Sequence, residues 1–226
     1  MCTLIVLRRP GHDWPVVVAA NRDEMIDRPW QPPGRHWADR PEVVAGLDEL
    51  AGGSWLGVND HGVVAGILNR FGSLGPAPGQ RSRGELVLEA LDHADALTAA
   101  MALSDLDPRA YRSFNLIIAD NRDAFWLRHA DPSGTLPIQT RPLGPGLAMI
   151  AAGDLDETET PRLRRYRPRF AAAASPDPRS RDWSVWEALL ADDDATPADE
   201  ATSAMRFTTE RGFATVSSAL IALPAP

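Results

Sequence analysis

Apolar, mostly β-branched residues run with little alternation through residues 3–7 and again through 16–20. That is the pattern of strands covered on both faces. Pro10-Gly11 marks the turn between them. Shorter apolar runs at 43–45, 54–58 and 63–68 predict a meander, turned by Gly52-Gly53 and by Asn59-Asp60-His61-Gly62. A hairpin follows at 114–119 and 124–128, with further strands at 136–140 and 147–151. The run 214–223 closes the set and is apolar enough for a sheet interior.

Helical spacing is confined to two regions. Ser82 and Glu85 make a capping-box pattern before Leu86, Val87, Leu88, Ala90 and Leu91, and an alanine-rich helix is expected over 93–103. A third helix is expected over 160–174, with Pro161 near its start, arginines at 162, 164, 165, 167 and 169, and Pro168 implying a kink or early stop. A fourth covers 183–191. Between them lie segments of other character: the proline-rich aromatic loop 28–41, with Trp30, His36 and Trp37, reads as an ordered lid or pocket wall, and the acidic run Asp192-Asp193-Asp194 on to Ser203 as a solvated loop. Strands, two helices, strands, helices and a closing strand suggest an α+β protein. Its expected form is a four-layer α-β-β-α sandwich of antiparallel sheets, in a single domain over residues 1–226.

Composition narrows the chemistry. The net charge of −8 makes nucleic acid and anionic membrane unsuitable partners. All 23 basic residues are arginine, which excludes Schiff-base, P-loop and serine–lysine chemistry. The one cysteine, Cys2, cannot form an intrachain disulfide, and no apolar run is long enough for a signal peptide or membrane span, so a cytoplasmic protein without membrane insertion is expected. His12, His36, His61, His93 and His129 show no HxxxH or HxH spacing, so no metal site is expected. His36, between Trp30 and Trp37, is a candidate haem ligand, though a packing histidine is the simpler reading.

Removal of Met1 would make Cys2 the N-terminal residue. Its thiol (~8.5) and free α-amine (~7.7–8.0) are then matched for proton exchange near neutrality. Arg22 can favour the thiolate and Asp23 can orient the ammonium. Against this, spacing alone favours Cys2 as a small buried residue at a strand start, and local composition favours Asn21-Arg22-Asp23-Glu24 as a turn. Asn69, closing the run 63–68, can donate to an oxyanion or cap a turn.

Met1-Cys2-Thr3 with Asn21-Arg22-Asp23-Glu24, Gly52-Gly53-Ser54-Trp55-Leu56-Gly57-Val58-Asn59, Gly62, Asn69-Arg70, Ser82-Arg83-Gly84, Phe114-Asn115-Leu116-Ile117 and Gly212-Phe213-Ala214-Thr215 together resemble the NRDE family, which includes the transport-and-Golgi-organisation protein of animals. More distantly, Met1-Cys2-Thr3, the polar cluster after the second strand and Ala65-Gly66-Ile67-Leu68-Asn69 look like the choloylglycine hydrolase and penicillin V acylase group of N-terminal-nucleophile (Ntn) hydrolases. That likeness implies the α-β-β-α fold, Cys2 as nucleophile, Arg22 and Asp23 as its supporting pair, and Asn69 as an oxyanion or substrate contact. Two departures stand out: Arg22 and Asp23 are adjacent rather than separated, and Ala152-Gly153 stands where Ser-Asn is expected.

Two functions follow as expectations. One is a cysteine hydrolase acting on the amide, ester or thioester of a small-molecule substrate without a cofactor, with Asn21, Glu24, Trp30, His36, Trp37 and Arg70 as substrate contacts. The other is a non-catalytic protein of the same fold that binds a hydrophobic ligand. The family resemblance, with its association with lipid homeostasis, implies an acyl chain, an acyl-CoA lipid or haem.

Overall fold

The computed structural model describes residues 2–195 and 201–226. Met1, whose removal the nucleophile reading requires, and residues 196–200 of the expected acidic loop lie outside the described residues. In chain order the strands are β1 (Thr3–Arg8), β2 (Val16–Met25), β3 (Trp30–Gly34), β4 (Val43–Asp48), β5 (Leu56–Asn59) and β6 (Val64–Asn69). Helices α1 (Gly84–Leu91) and α2 (Ala96–Ser104) follow, then β7 (Phe114–Ala119), β8 (Ala124–His129), β9 (Gln139–Pro142) and β10 (Gly146–Ile150). Helices α3 (Pro161–Ala172) and α4 (Ser184–Leu190) precede the closing strand β11 (Phe213–Leu223).

The chain divides into two compact units, one formed by the residues up to Arg28 together with Pro145–Pro226, the other by Pro29–Gly144. The first holds an antiparallel sheet in the order β10-β1-β2-β11. Its core joins Ile5, Val17, Ala19 and Met149 of the strands to Phe170 of α3 and Trp186 of α4. A fully buried side chain of this size contributes about 1.5–3 kcal/mol, so helices and sheet stabilise one another. The second unit is a seven-stranded antiparallel meander, β3 through β9 in sequence order. Val43, Ala65, Leu116 and Leu127 of its sheet pack with Leu86 and Leu91 of α1 and Ala99 of α2. Two antiparallel sheets, each sharing its core with a pair of helices, make the α+β class expected from the pattern.

Several local expectations are corrected. The tetrapeptide Asn21 to Glu24 is strand, not turn, because β2 continues to Met25 and pairs there with β11. β11 occupies a sheet edge rather than an interior position. Part of the proline-rich loop forms β3, an edge strand, where prolines cost no ladder bond. The capping box does not form: Arg83 sits at the N-cap of α1 without a side-chain cap, and Glu85 pairs with Arg81 Nε at 2.6 Å. Pro168 stays inside α3. It and Arg164, whose carbonyl it leaves without an i→i−4 donor, both lie on the exposed face. The acidic run is the counter-charge of that helix, pairing Asp192 with Arg169 at 2.5 Å and Asp194 with Arg165 at 2.8 Å.

Candidate active site at the start of the first strand

Cys2 precedes β1, one residue before the Thr3–Asn21 pair that begins the β1–β2 ladder. The backbone N–H of Asp23 donates to Cys2 Sγ at 3.3 Å, and Sγ lies 3.5 Å from the Asp23 carbonyl. Burial pushes the thiol above its ordinary range, and the Asp23 carboxylate pushes the same way. The Asp23 N–H and the Arg22 guanidinium pull it back in part. The resting group is therefore a neutral thiol that needs a base before it can attack.

Asp23 itself is held from the other direction. Its side chain is fully buried, and Arg162 Nη1 donates to Oδ2 at 2.7 Å. Thr215 Oγ1 reaches Oδ1 at 2.7 Å. The same Arg162 Nη1 donates to Thr3 Oγ1 at 3.0 Å, Nη2 donates to the Thr202 carbonyl at 2.7 Å, and the guanidinium lies 5.2 Å from the Phe207 ring centroid. A buried cation with these partners is compensated as such a charge must be. Opposite Asp23, β11 carries an irregularity between Thr215 and Ser217, a local change of register next to the cluster. The Asp23 carboxylate is engaged by Arg162 and Thr215, and its backbone N–H touches the thiol.

Strand alternation sorts the remaining cluster residues. Asn21 shares a face with Asp23, and its Nδ2 donates to the carbonyls of Leu190 and Met205, both at 2.9 Å. Its Oδ1 accepts from Ser218 Oγ at 2.7 Å. Both amide hydrogens are committed, so Asn21 ties the sheet to α4 and β11 rather than offering a substrate donor. Arg22 points to the opposite face, 3.9 Å from Glu24, and Glu24 also lies 3.7 Å from Arg28.

The other candidates belong to the second unit. Asn69 ends β6, and its half-buried amide makes no hydrogen bond among the described residues. Arg70 is tied inward, donating to Asn115 Oδ1 at 2.7 Å, an oxygen that also accepts from Trp126 Nε1. Trp30 packs edge-on against Trp55 at 5.7 Å, and Trp37 donates to the Gly52 carbonyl at 2.9 Å. His36 lies 2.9 Å from the Pro32 carbonyl and edge-on against Trp37, as a packing histidine rather than an open ligand. The glycine motif is architectural as well. A Cβ on Gly53 would sit 2.5 Å from the Gly84 backbone carbon, and one on Gly46 2.3 Å from the Trp55 ring. Asn59 Nδ2 donates to the Leu91 and His93 carbonyls at the end of α1, while its Oδ1 accepts from the N–H groups of His61 and Val63.

Sequence reasoning missed Arg162, Thr3 and Thr215. For Arg162 a signal exists: it stands four residues before Tyr166 and eight before Phe170, on the buried stripe of α3.

Two antiparallel sheets, each with helices packed on it, are the architecture of the Ntn-hydrolase fold, and solved structures share it. The Caenorhabditis elegans N-acylethanolamine-hydrolyzing acid amidase ortholog superposes with a TM-score of 0.60 at 13% identity, covering 97% of this chain and 92% of that one. Penicillin V acylase from Agrobacterium tumefaciens gives 0.53 at 15% identity, covering 97% and 79%. At these identities the likeness carries the fold alone. The family is narrower: residues 1–224 match the model described as Transport and Golgi organisation 2, and the chain belongs to that family. Among curated proteins no relative matches.

Proposed function

We propose that this protein is a cysteine N-terminal-nucleophile hydrolase that opens an amide, ester or thioester through an acyl-enzyme on Cys2. The observation that carries the reading is the thiol itself, on a half-buried residue just before an inner strand and held at 3.3 Å by the Asp23 N–H. Two proteins of the same fold are named as an amidase and an acylase, which supports an acyl group as the unit transferred. With Met1 removed, the free α-amine of Cys2 takes the thiol proton and Sγ attacks the carbonyl carbon. The ammonium returns that proton to the departing amine, alcohol or thiol as the carbon–heteroatom bond breaks. Water, deprotonated by the same amine, then attacks the thioester carbonyl; the C–S bond breaks, the ammonium returns its proton to Sγ and the acid is released. The cycle uses no cofactor.

Arg22 supplies positive charge toward the thiolate. The alternative of a hydrophobic-ligand protein rested on Trp30 and Trp37, and both lean on groups of their own unit. No described helix is long and apolar enough to cross a membrane, and the single cysteine suits a reducing compartment, so the cytoplasm is the proposed location.

The test is intact mass of untagged protein before and after a β-lactone acyl probe. Loss of Met1 and one adduct on Cys2, absent in Cys2→Ala, are expected. Protein that has lost Met1 yet forms no adduct would end the hydrolase reading.

A further inference from the structure

Strands β3, β9, β10 and β11 lie at the edges of the two sheets, and the first three are guarded. β3 carries Pro32 and Pro33, and β9 carries Arg141 and Pro142. On β10 the Met149 N–H donates to Asp156 Oδ1 at 2.8 Å, and the Met149 carbonyl accepts from the Asp156 N–H at 2.9 Å. Arg167 Nε, 2.7 Å from the same carboxylate, holds that cap in place. Prolines, edge charges and covered backbone keep an open ladder from pairing with another chain. β11 is the longest described strand, and it has no charge, no proline and no glycine. We infer that its outer edge, from Ser217 to Leu223, is the interface of a symmetric homodimer. The strand pairs antiparallel with the same strand of a second copy, about a two-fold axis at Leu220.

The start of β11 is already occupied. The Thr215 N–H donates to the Phe207 carbonyl at 3.0 Å, and the Phe213 carbonyl accepts from the Thr209 N–H at 2.8 Å. Beyond the irregularity between Thr215 and Ser217, no backbone hydrogen bond reaches the outer side among the described residues. Which groups face outward follows from β2. The Asp23 N–H points to Cys2, on the β1 side, and backbone groups along a strand alternate between its two neighbours. Asn21, Ala19 and Val17 therefore bond toward β1. The residues across from them on β11 are Ser218, Leu220 and Ala222, and these turn their N–H and C=O groups outward.

A second copy fits this edge for reasons of symmetry, burial and charge. An axis at Leu220 sets Leu220 against itself and Ser218 against Ala222, so every outward group meets a partner, about six hydrogen bonds in all. The same axis sets Val216, which the ladder to β2 skips, against Pro224, which has no N–H to give. The paired stretch of each copy thus ends where that of the other does. Leu220 and Ala222 are only partly buried against the core of the first unit, and the strand of a copy covers more of both. With a net charge of −8 two copies repel over much of their surface, whereas along β11 no like charges meet.

The experiment is light scattering and sedimentation equilibrium on the full chain, with each variant checked for folding by circular dichroism. Wild type is expected to give the mass of two chains, with the dimer fraction rising with concentration. Leu220→Lys and Leu220→Glu each place like charges across the axis and should raise the dissociation constant at least about tenfold. Mixed in equal amounts they should recover a dimer, since the axis then sets a cation against an anion. Ala222→Pro removes an outward N–H without breaking the ladder to β2, and it should weaken the dimer too. It carries the test should a charge at position 220 prevent folding. Wild type that stays a single chain at every concentration overturns the inference, and capture of an extended peptide by that monomer would assign the edge to a foreign strand instead. A dimer left intact by the charge variants and by Ala222→Pro also overturns it, as do Leu220→Lys and Leu220→Glu proteins that stay apart when mixed.

Discussion

A thiol that rests neutral at the start of an inner strand titrates late. Burial and the Asp23 charge raise its pKa, so folded protein at equal pH should alkylate more slowly than protein unfolded in urea. The midpoint of the folded profile should lie above the ordinary thiol value of about 8.5. By linkage the neutral thiol stabilises the fold below that ordinary value, and the contribution is lost as pH rises through the folded one. A midpoint at or below the unfolded value would contradict the placement of Cys2. His129 works in the opposite sense. It is buried with Nε2 3.2 Å from the Tyr111 carbonyl, and burial lowers its pKa. The unfolded chain binds the extra proton first, so stability is full above about 6.5 and falls as pH drops toward the folded value. Urea midpoints of His129→Phe should show a flatter acid limb than wild type. At this scale the sequence was partly legible. Cys2 stood out as the one cysteine, while Arg162 was masked by four neighbouring arginines of the same helix that are half-buried or exposed.

Strands and helices were mostly where the apolar pattern put them, because long buried runs such as 114–119 leave little choice of conformation. What failed locally was set by distant partners. Asn21 to Glu24 looks like a turn on its own composition and becomes strand only through pairing with β11 at the far end of the chain. The capping box at Ser82 lost to a tighter constraint, the close approach of Gly53 to Gly84, with the Ser54 N–H donating to the Gly84 carbonyl at 3.0 Å. Gly53→Ala should therefore destabilise the second unit by about 1–3 kcal/mol or more, the cost of forcing atoms into a packed contact. Asn59→Ala strips partners from two carbonyls and two N–H groups at once and should cost at least about 2 kcal/mol. Denaturant melts of both variants decide the matter, and a loss below 0.5 kcal/mol in either, on the order of a neutral surface substitution, would refute this account of the motif.

The whole molecule is one chain in which the unit Pro29–Gly144 falls, in sequence, between the two segments of the other. We propose that both behave as a single domain. Unfolding followed at Trp186 in one unit and Trp126 in the other, by fluorescence of single-tryptophan variants, should then give coincident transitions. Two separate transitions would divide the domain. Fold class was legible at this scale from the order of strands and helices alone, whereas the strand order of the first sheet was not, since β1 pairs with β2 nearby and with β10 more than a hundred residues away.

That strand order has a consequence for the protein as it is made. The strand that follows Cys2 is made before either of its sheet neighbours, one of which is β10, and Arg162, on the helix after β10, is translated later still. β11, which closes the sheet beside β2, is made after both. Until those elements are made, the thiol sits beside a strand whose one available sheet partner is β2, without the later neighbours that bury it. Their arrival is what encloses it.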